Sequence, residues 1–242
     1  LAASVDRQFV VTANVTENSV SLVRAEDFSL VGTLEVGSEP ERVVALGNDF
    51  VVSLRGERGL AHMRVVDGQL KQVRKVSTGA EPIGLVASED GTKLFVAVSQ
   101  SQVVEERDGS TLEVIRRFAV DHEPRWLALH PSGQTLYVAT GMGGRLVVVD
   151  LLDGSSSEHG LPQIDTFPDF ENPNPGAGGP RSIRITGDPA VRTNGSALLV
   201  PTLYVDNINV VGDSGEQEDM PNNDEGYGSS GAGQRFIPAI AT

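Results

Sequence analysis

Short runs of alternating apolar and polar residues recur along the chain, and none has the three-to-four-residue apolar spacing of an amphipathic helix. Thr111-Leu112-Glu113-Val114-Ile115-Arg116-Arg117-Phe118 shows the period of two that marks a half-buried strand. The runs come in a fixed order. Gly37-Ser38-Glu39-Pro40, Gly79-Ala80-Glu81-Pro82 and Asp121-His122-Glu123-Pro124 align, with the prolines 42 and 42 residues apart. A fourth copy, Gly178-Gly179-Pro180, follows after 56 residues, one period plus a 14-residue insertion. Each leads into a short apolar run, at Val43–Leu46, Ile83–Val86, Trp126–Leu129 and Ser182–Ile185. Second strands are predicted at Asp49–Leu54, Lys93–Val98, Thr135–Thr140 and from Ala197 onward. Third strands are predicted at Leu60–Val66, Gln102–Arg107 and Arg145–Leu151. Asp67-Gly68, Asp108-Gly109-Ser110 and Asp153-Gly154-Ser155 supply the turns to a fourth strand, since Asp-Gly favours the positive φ angles of tight hairpins.

Four strands per ~42 residues predict an all-β fold, a β-propeller of four-stranded antiparallel blades. Val43, Leu85 and Leu127 should then hold equivalent inner-strand positions. A β-sandwich of short strands is the alternative, but it needs no fixed period.

The pattern breaks in places. Residues 1–242 read as one propeller, apparently incomplete, with about three whole blades and two partial ones. The chain opens on what should be a second strand, and Gln234–Thr242 ends inside a strand-like run. This leads to the expectation of a blade edge covered by the remainder of a longer polypeptide, by a protein partner or by a strand from the opposite terminus. Ser155–Gly179, with Pro162, Pro168, Pro173 and Pro175, is expected to be a long inserted loop anchored by Phe167 and Phe170. Gly212–Gly233 is a second insertion, rich in Asp, Glu, Asn, Ser and Gly.

Phe9-Val10-Val11-Thr12-Ala13-Asn14, Asn18–Val23 and Val36–Pro40 together resemble the YVTN-type propeller repeat of bacterial and archaeal surface proteins. Leu136–Thr140 with Val147–Asp150 resembles it too. The resemblance covers residues 7–152 well and 180–210 loosely. It implies a propeller outside the cytoplasm, periplasmic or on the cell surface. Members of the family serve as surface-layer modules, binding domains or partners of cytochrome domains, and related propellers hydrolyse lactones.

Charge narrows the choice of partner. The net charge is −14. From Asp150 onward 14 acidic residues face 4 basic ones, so most of the excess lies there. Such a field repels nucleic acid and favours cations or a basic protein. The chain has no cysteine, which excludes disulfides, thiolate catalysis and cysteine-held metals. No apolar run reaches the ~20 residues of a transmembrane helix.

The loops before the inner strands should share one face, bringing Glu39, Glu81 and Glu123 around the mouth of the channel with Arg42, Arg125 and Arg181 close behind. Carboxylates and guanidiniums in such a ring suit ligand or partner binding. Glu before Pro also suits a plain extended turn. His122 is the one histidine in the mouth, and Trp126 is expected in the core. Asp213, Glu218, Asp219, Asn223 and Asp224 form an oxygen-rich cluster of the kind calcium takes, or a solvated acidic loop. No other cofactor is expected in this chain. No Ser-His-Asp set or phosphate loop is present, and Gly141-Met142-Gly143-Gly144 joins two strands. The expected function is a non-enzymatic binding module. A lactonase-like hydrolase and a subunit beside a redox partner are the alternatives.

Overall fold

The computed structural model describes residues 1–161, 182–206 and 235–241, all of it strands and connections. Blade 1 contains β1 (Ala2–Ala3), β2 (Phe9–Asn14), β3 (Ser19–Arg24) and β4 (Leu30–Glu35). Blade 2 contains β5 (Pro40–Leu46), β6 (Asp49–Leu54), β7 (Gly59–Val66) and β8 (Gln69–Ser77). Blade 3 contains β9 (Pro82–Ala87), β10 (Lys93–Val98), β11 (Val103–Asp108) and β12 (Val114–Ala119). Blade 4 contains β13 (Pro124–Leu129), β14 (Thr135–Thr140), β15 (Arg145–Asp150) and β16 (Ser156–Gly160). In each the strands lie in chain order and pair antiparallel. The fifth blade has β17 (Ser182–Ile185) and β18 (Ala190–Val191) on one edge of β19 (Leu198–Asp206), and β20 (Arg235–Ala241) on the other.

The repeat carries over into register. Val43, Leu85 and Leu127 face Val52, Val96 and Val138, the equivalent positions expected of them. The predicted second strands of blades 2, 3 and 4 have the observed bounds. Three expectations need correction. Blade 1 does have an inner strand: Ala2 and Ala3 pair with Val11 and Val10, a segment too short and too small to show as a run. The insertion expected from Ser155 begins instead with β16, the outer strand of blade 4; Phe167 and Phe170 lie outside the described residues. Of the Asp-Gly turns only Asp67-Gly68 has both residues at positive φ (52° and 71°). At Asp108 the carboxylate instead accepts the Ser110 and Thr111 N–H groups, and Leu112 takes the left-handed angle.

Successive blades pack face to face through apolar seams. Val11, Leu22, Phe50 and Met63 join blades 1 and 2, and Val51, Leu60, Leu94 and Val96 join blades 2 and 3. Phe95, Val104, Leu136 and Val149 join blades 3 and 4, while Ala139, Leu146, Ile185 and Val200 reach blade 5. Trp126 packs against this last seam, as expected. A second strand lies between two seams, so all six residues of β6 are buried and its sequence is nearly continuous apolar rather than alternating. Blade 1 differs. The face that in blade 2 carries Phe50, Val52 and Leu54 carries Val10, Thr12 and Asn14 there. Asn14 donates to the Ser19 and Ser21 hydroxyls, so this polar face satisfies itself.

Charge is also buried between blades. On β11, Glu105 and Glu106 are sealed from solvent. Lys93 and Arg116 bind Glu106, and Arg107 and Arg117 bind Glu105. Burial opposes ionisation of Glu106, but the hydrogen bonds from Lys93 and Arg116 outweigh it and hold its carboxyl below the ordinary range. Arg107 also donates to the carbonyls of Leu112 (2.7 Å) and of Ser77 in blade 2 (2.8 Å). On blade 2, Asp49 accepts from buried His62 and from Arg64, each at 2.7 Å. Removing one member of a buried pair strands its partner. We expect Arg107→Met to cost about 3 kcal/mol in chemical denaturation. An unchanged midpoint would mean that Arg117 alone satisfies Glu105.

Candidate functional site

At the mouth, the backbone departs from what the sequence suggests. Residues before proline favour extended angles, yet Glu39, Glu81 and Glu123 have φ of 53°, 59° and 58°. The plain extended turn is thereby ruled out. The geometry has a cause in each hairpin. The Glu39 carbonyl accepts the Arg55 N–H (3.0 Å), the Glu81 carbonyl the Ser99 N–H (2.9 Å) and the Glu123 carbonyl the Gly141 N–H (2.8 Å). Each bond closes the first hairpin of its blade. The proline starts the inner strand and a register shift follows it. A left-handed non-glycine residue costs roughly 1–2 kcal/mol, and glycine would avoid most of it.

The side chains are paired locally rather than joined in one ring. Glu39 lies 3.1 Å from the Arg55 Nε, which also approaches Glu41 at 3.9 Å. Glu123 lies 3.7 Å from Arg125, whose side chain covers Gly141. His122, also left-handed, is 3.8 Å from Glu158, which Arg145 holds. Glu81 has no ion pair among the described residues. Arg181 and the expected calcium ligands Asp213, Glu218, Asp219, Asn223 and Asp224 lie outside the described residues. Among the described residues no three His, Asp or Glu side chains converge on a metal position.

Arg42 does not join the mouth glutamates. Its guanidinium reaches Asp188, at 3.5 Å. Asp188 sits in Gly187-Asp188-Pro189, the segment that splits the fifth inner strand into β17 and β18, and its carboxylate also accepts a backbone N–H from Leu127 on β13. One side chain of blade 5 thus touches the inner strands of blades 2 and 4, which places it in the channel. The inner strands of blades 3 and 4 approach closely: a Cβ on Gly84 would lie 2.3 Å from the Arg125 carbonyl oxygen. Burial raises the Asp188 carboxyl above its ordinary value, and Arg42 only partly offsets this. Sequence reading passed Asp188 over. Its signal was there, as a Gly-Asp-Pro turn inside an inner-strand run.

With this geometry in view, comparison with known proteins shows the fold and nothing narrower. No family model and no curated protein matches the chain. Hydrazine synthase of Kuenenia stuttgartiensis is similar at 18% identity and a TM-score of 0.66, over 85% of this chain and 55% of that one. A putative 6-phosphogluconolactonase from Bacteroides uniformis is similar at 14% identity and a TM-score of 0.64, over 85% and 66%. A protein from Lactobacillus plantarum is similar at 13% identity and a TM-score of 0.64, over 100% and 70%. The chain therefore spans 55% to 70% of the length of these structures. It has the β-propeller fold. Among the described residues no helix is long and apolar enough to cross a membrane.

A carboxylate whose value is raised destabilises the fold when ionised, and the cost disappears as pH falls through that value. Asp188→Asn should therefore raise the melting temperature at pH 7, with the difference closing at pH 3 where Asp188 is neutral. A melting temperature lowered at pH 7 would show that the Arg42 pair outweighs burial.

Proposed function

We propose that this propeller is a non-enzymatic binding module whose mouth engages cationic groups of a protein or surface component. The left-handed Glu39, Glu81 and Glu123 carry this reading. Three equivalent turns keep a strained glutamate where glycine would be cheaper, and strain retained at equivalent positions points to use of the side chain. The pairs around Glu39 and Glu123 are about 40% exposed, so they can exchange partners at little cost. The acidic net charge favours the same class of partner. On the repeat resemblance we also place the module outside the cytoplasm, which surface proteolysis of intact cells tests.

Fold similarity does not select a chemistry. Lactone hydrolysis is the rival reading, prompted by the name of the Bacteroides uniformis neighbour. Turnover of a sugar lactone by the purified protein would replace the binding reading.

The strain gives a two-sided test. Glu81→Gly should stabilise the fold by about 1 kcal/mol, since it removes a left-handed side chain that has no ion pair among the described residues. The same change should weaken binding of a lysine-rich peptide about two- to fivefold, and Glu39→Gly, Glu81→Gly and Glu123→Gly combined more than about tenfold, with steep salt dependence. Unchanged binding in the triple variant would remove the mouth from the account.

A further inference from the structure

The four described outer strands are not equally guarded against pairing with another chain. β8 carries Lys71, Arg74 and Lys75; Arg74 is bound to the Ser110 and Thr111 carbonyls, and Lys75 to Glu57. β12 carries Arg116 and Arg117, tied into the Glu105 and Glu106 network. β16 is polar throughout. Charges of this kind are how sheets protect an open edge. β4 has none over Leu30-Val31-Gly32-Thr33-Leu34, and among the described residues its outer edge pairs with nothing.

The turn entering β4 adds a second, independent observation. Phe28 is 80% exposed and Leu30 64% exposed. Phe28 sits at φ 57°, an outlier for a bulky residue. It is fixed there: its N–H donates to the Arg24 carbonyl (3.0 Å), and the Asp27 carboxylate accepts the Ser29 N–H (3.0 Å) and hydroxyl (2.7 Å). The turn thus holds an aromatic ring out in water on the face of blade 1 turned away from blade 2, the place that buried Leu112 takes in blade 3. A Cβ on Gly32 would meet nothing within 4 Å, so the flank is clear.

The backbone fixes which groups are available. Val36 donates its N–H inward to Asn18, and antiparallel pairing alternates, so the main-chain groups of Thr33 and Glu35 point outward. We propose that the outer edge of β4 is a strand-addition site for an extended segment of a partner protein. The segment is apolar at alternate positions, to cover Phe28 and Leu30, and carries Lys or Arg near its ends, to meet Glu26, Asp27 and Glu35. A second copy of this chain fits poorly, because two antiparallel β4 strands would set Glu35 of each near Asp27 of the other.

The probe is a fluorescent Lys-Val-Thr-Val-Thr-Val-Lys peptide, titrated into the whole chain by anisotropy, with amide exchange followed in parallel. Binding should slow exchange at Thr33 and Glu35. Thr33→Pro removes the outward N–H on an edge strand, where proline is tolerated, and should weaken binding more than about tenfold without loss of fold. Leu30→Lys, at an exposed position, should weaken it as well and is the check should the proline variant unfold. Leu152→Lys, at an exposed residue of blade 4, should leave it unchanged, which ties the effect to this edge. Absence of binding to the native chain, full binding by Leu30→Lys and Thr33→Pro, or a light-scattering mass showing self-association through β4 would each overturn the proposal.

Discussion

The structure depends on the two-sided burial of the second strand in blades 2, 3 and 4. β6, β10 and β14 have a seam on either face, and each seam belongs to two blades at once. Fully burying a single Phe or Leu side chain is worth roughly 1.5–3 kcal/mol, so the shared faces of Phe50, Phe95 and Leu136 dominate the stability of the stack. Among the described residues no blade has a core of its own. A change in one is felt by its neighbour, and loops at either end can vary as long as the seams are filled.

That arrangement determines where charge can go. Outer strands are exposed and take Lys and Arg freely, whereas β11 lies inside the stack and can hold Glu105, Glu106 and Arg107 only because each finds a partner. The network spans blades 2, 3 and 4 through Arg107 to Ser77 and Arg116 to Leu151. Charge at the mouth is different in kind. It is half-exposed, paired within a blade, and mounted on backbone that pays for its conformation. Charge in the channel is different again, with Asp188 crossing to blades 2 and 4 under a burial penalty. Unfavourable ionisation falls at Asp188 in the channel, whereas left-handed side chains occur both in the Glu-Pro turns and in outer turns such as those of Phe28, Asp67 and Leu112.

Much of the fold was legible because a propeller is periodic. The prolines at 40, 82 and 124 and the apolar runs behind them located the blades, and the second strands followed residue for residue. What was hidden was hidden for physical reasons. The Glu-Pro turns looked extended because a local preference of the residue before proline was weighed without the hairpin bond that overrides it. Val-Val-Glu-Glu-Arg-Asp at residues 103–108 resembles a solvent-facing strand, and only the third dimension shows that its partners come from adjacent strands and blades. Ser156–Gly160 lacks apolar residues because an outer strand needs none, so it was absorbed into a loop. The equivalence of the three Glu-Pro turns was legible from position, but Arg42 pairs with Asp188, a residue 146 positions away whose approach no spacing rule reports.

Native-state hydrogen exchange tests the dependence on shared seams most directly. If stability is held in common between blades, the amides of Phe50, Val52, Leu94, Val96, Leu136 and Val138 should exchange only through one global opening, with the same free energy and the same denaturant slope, while β16 exchanges quickly. Separate opening free energies for β6, β10 and β14, each with its own small slope, would show blades that stand alone and would contradict the account.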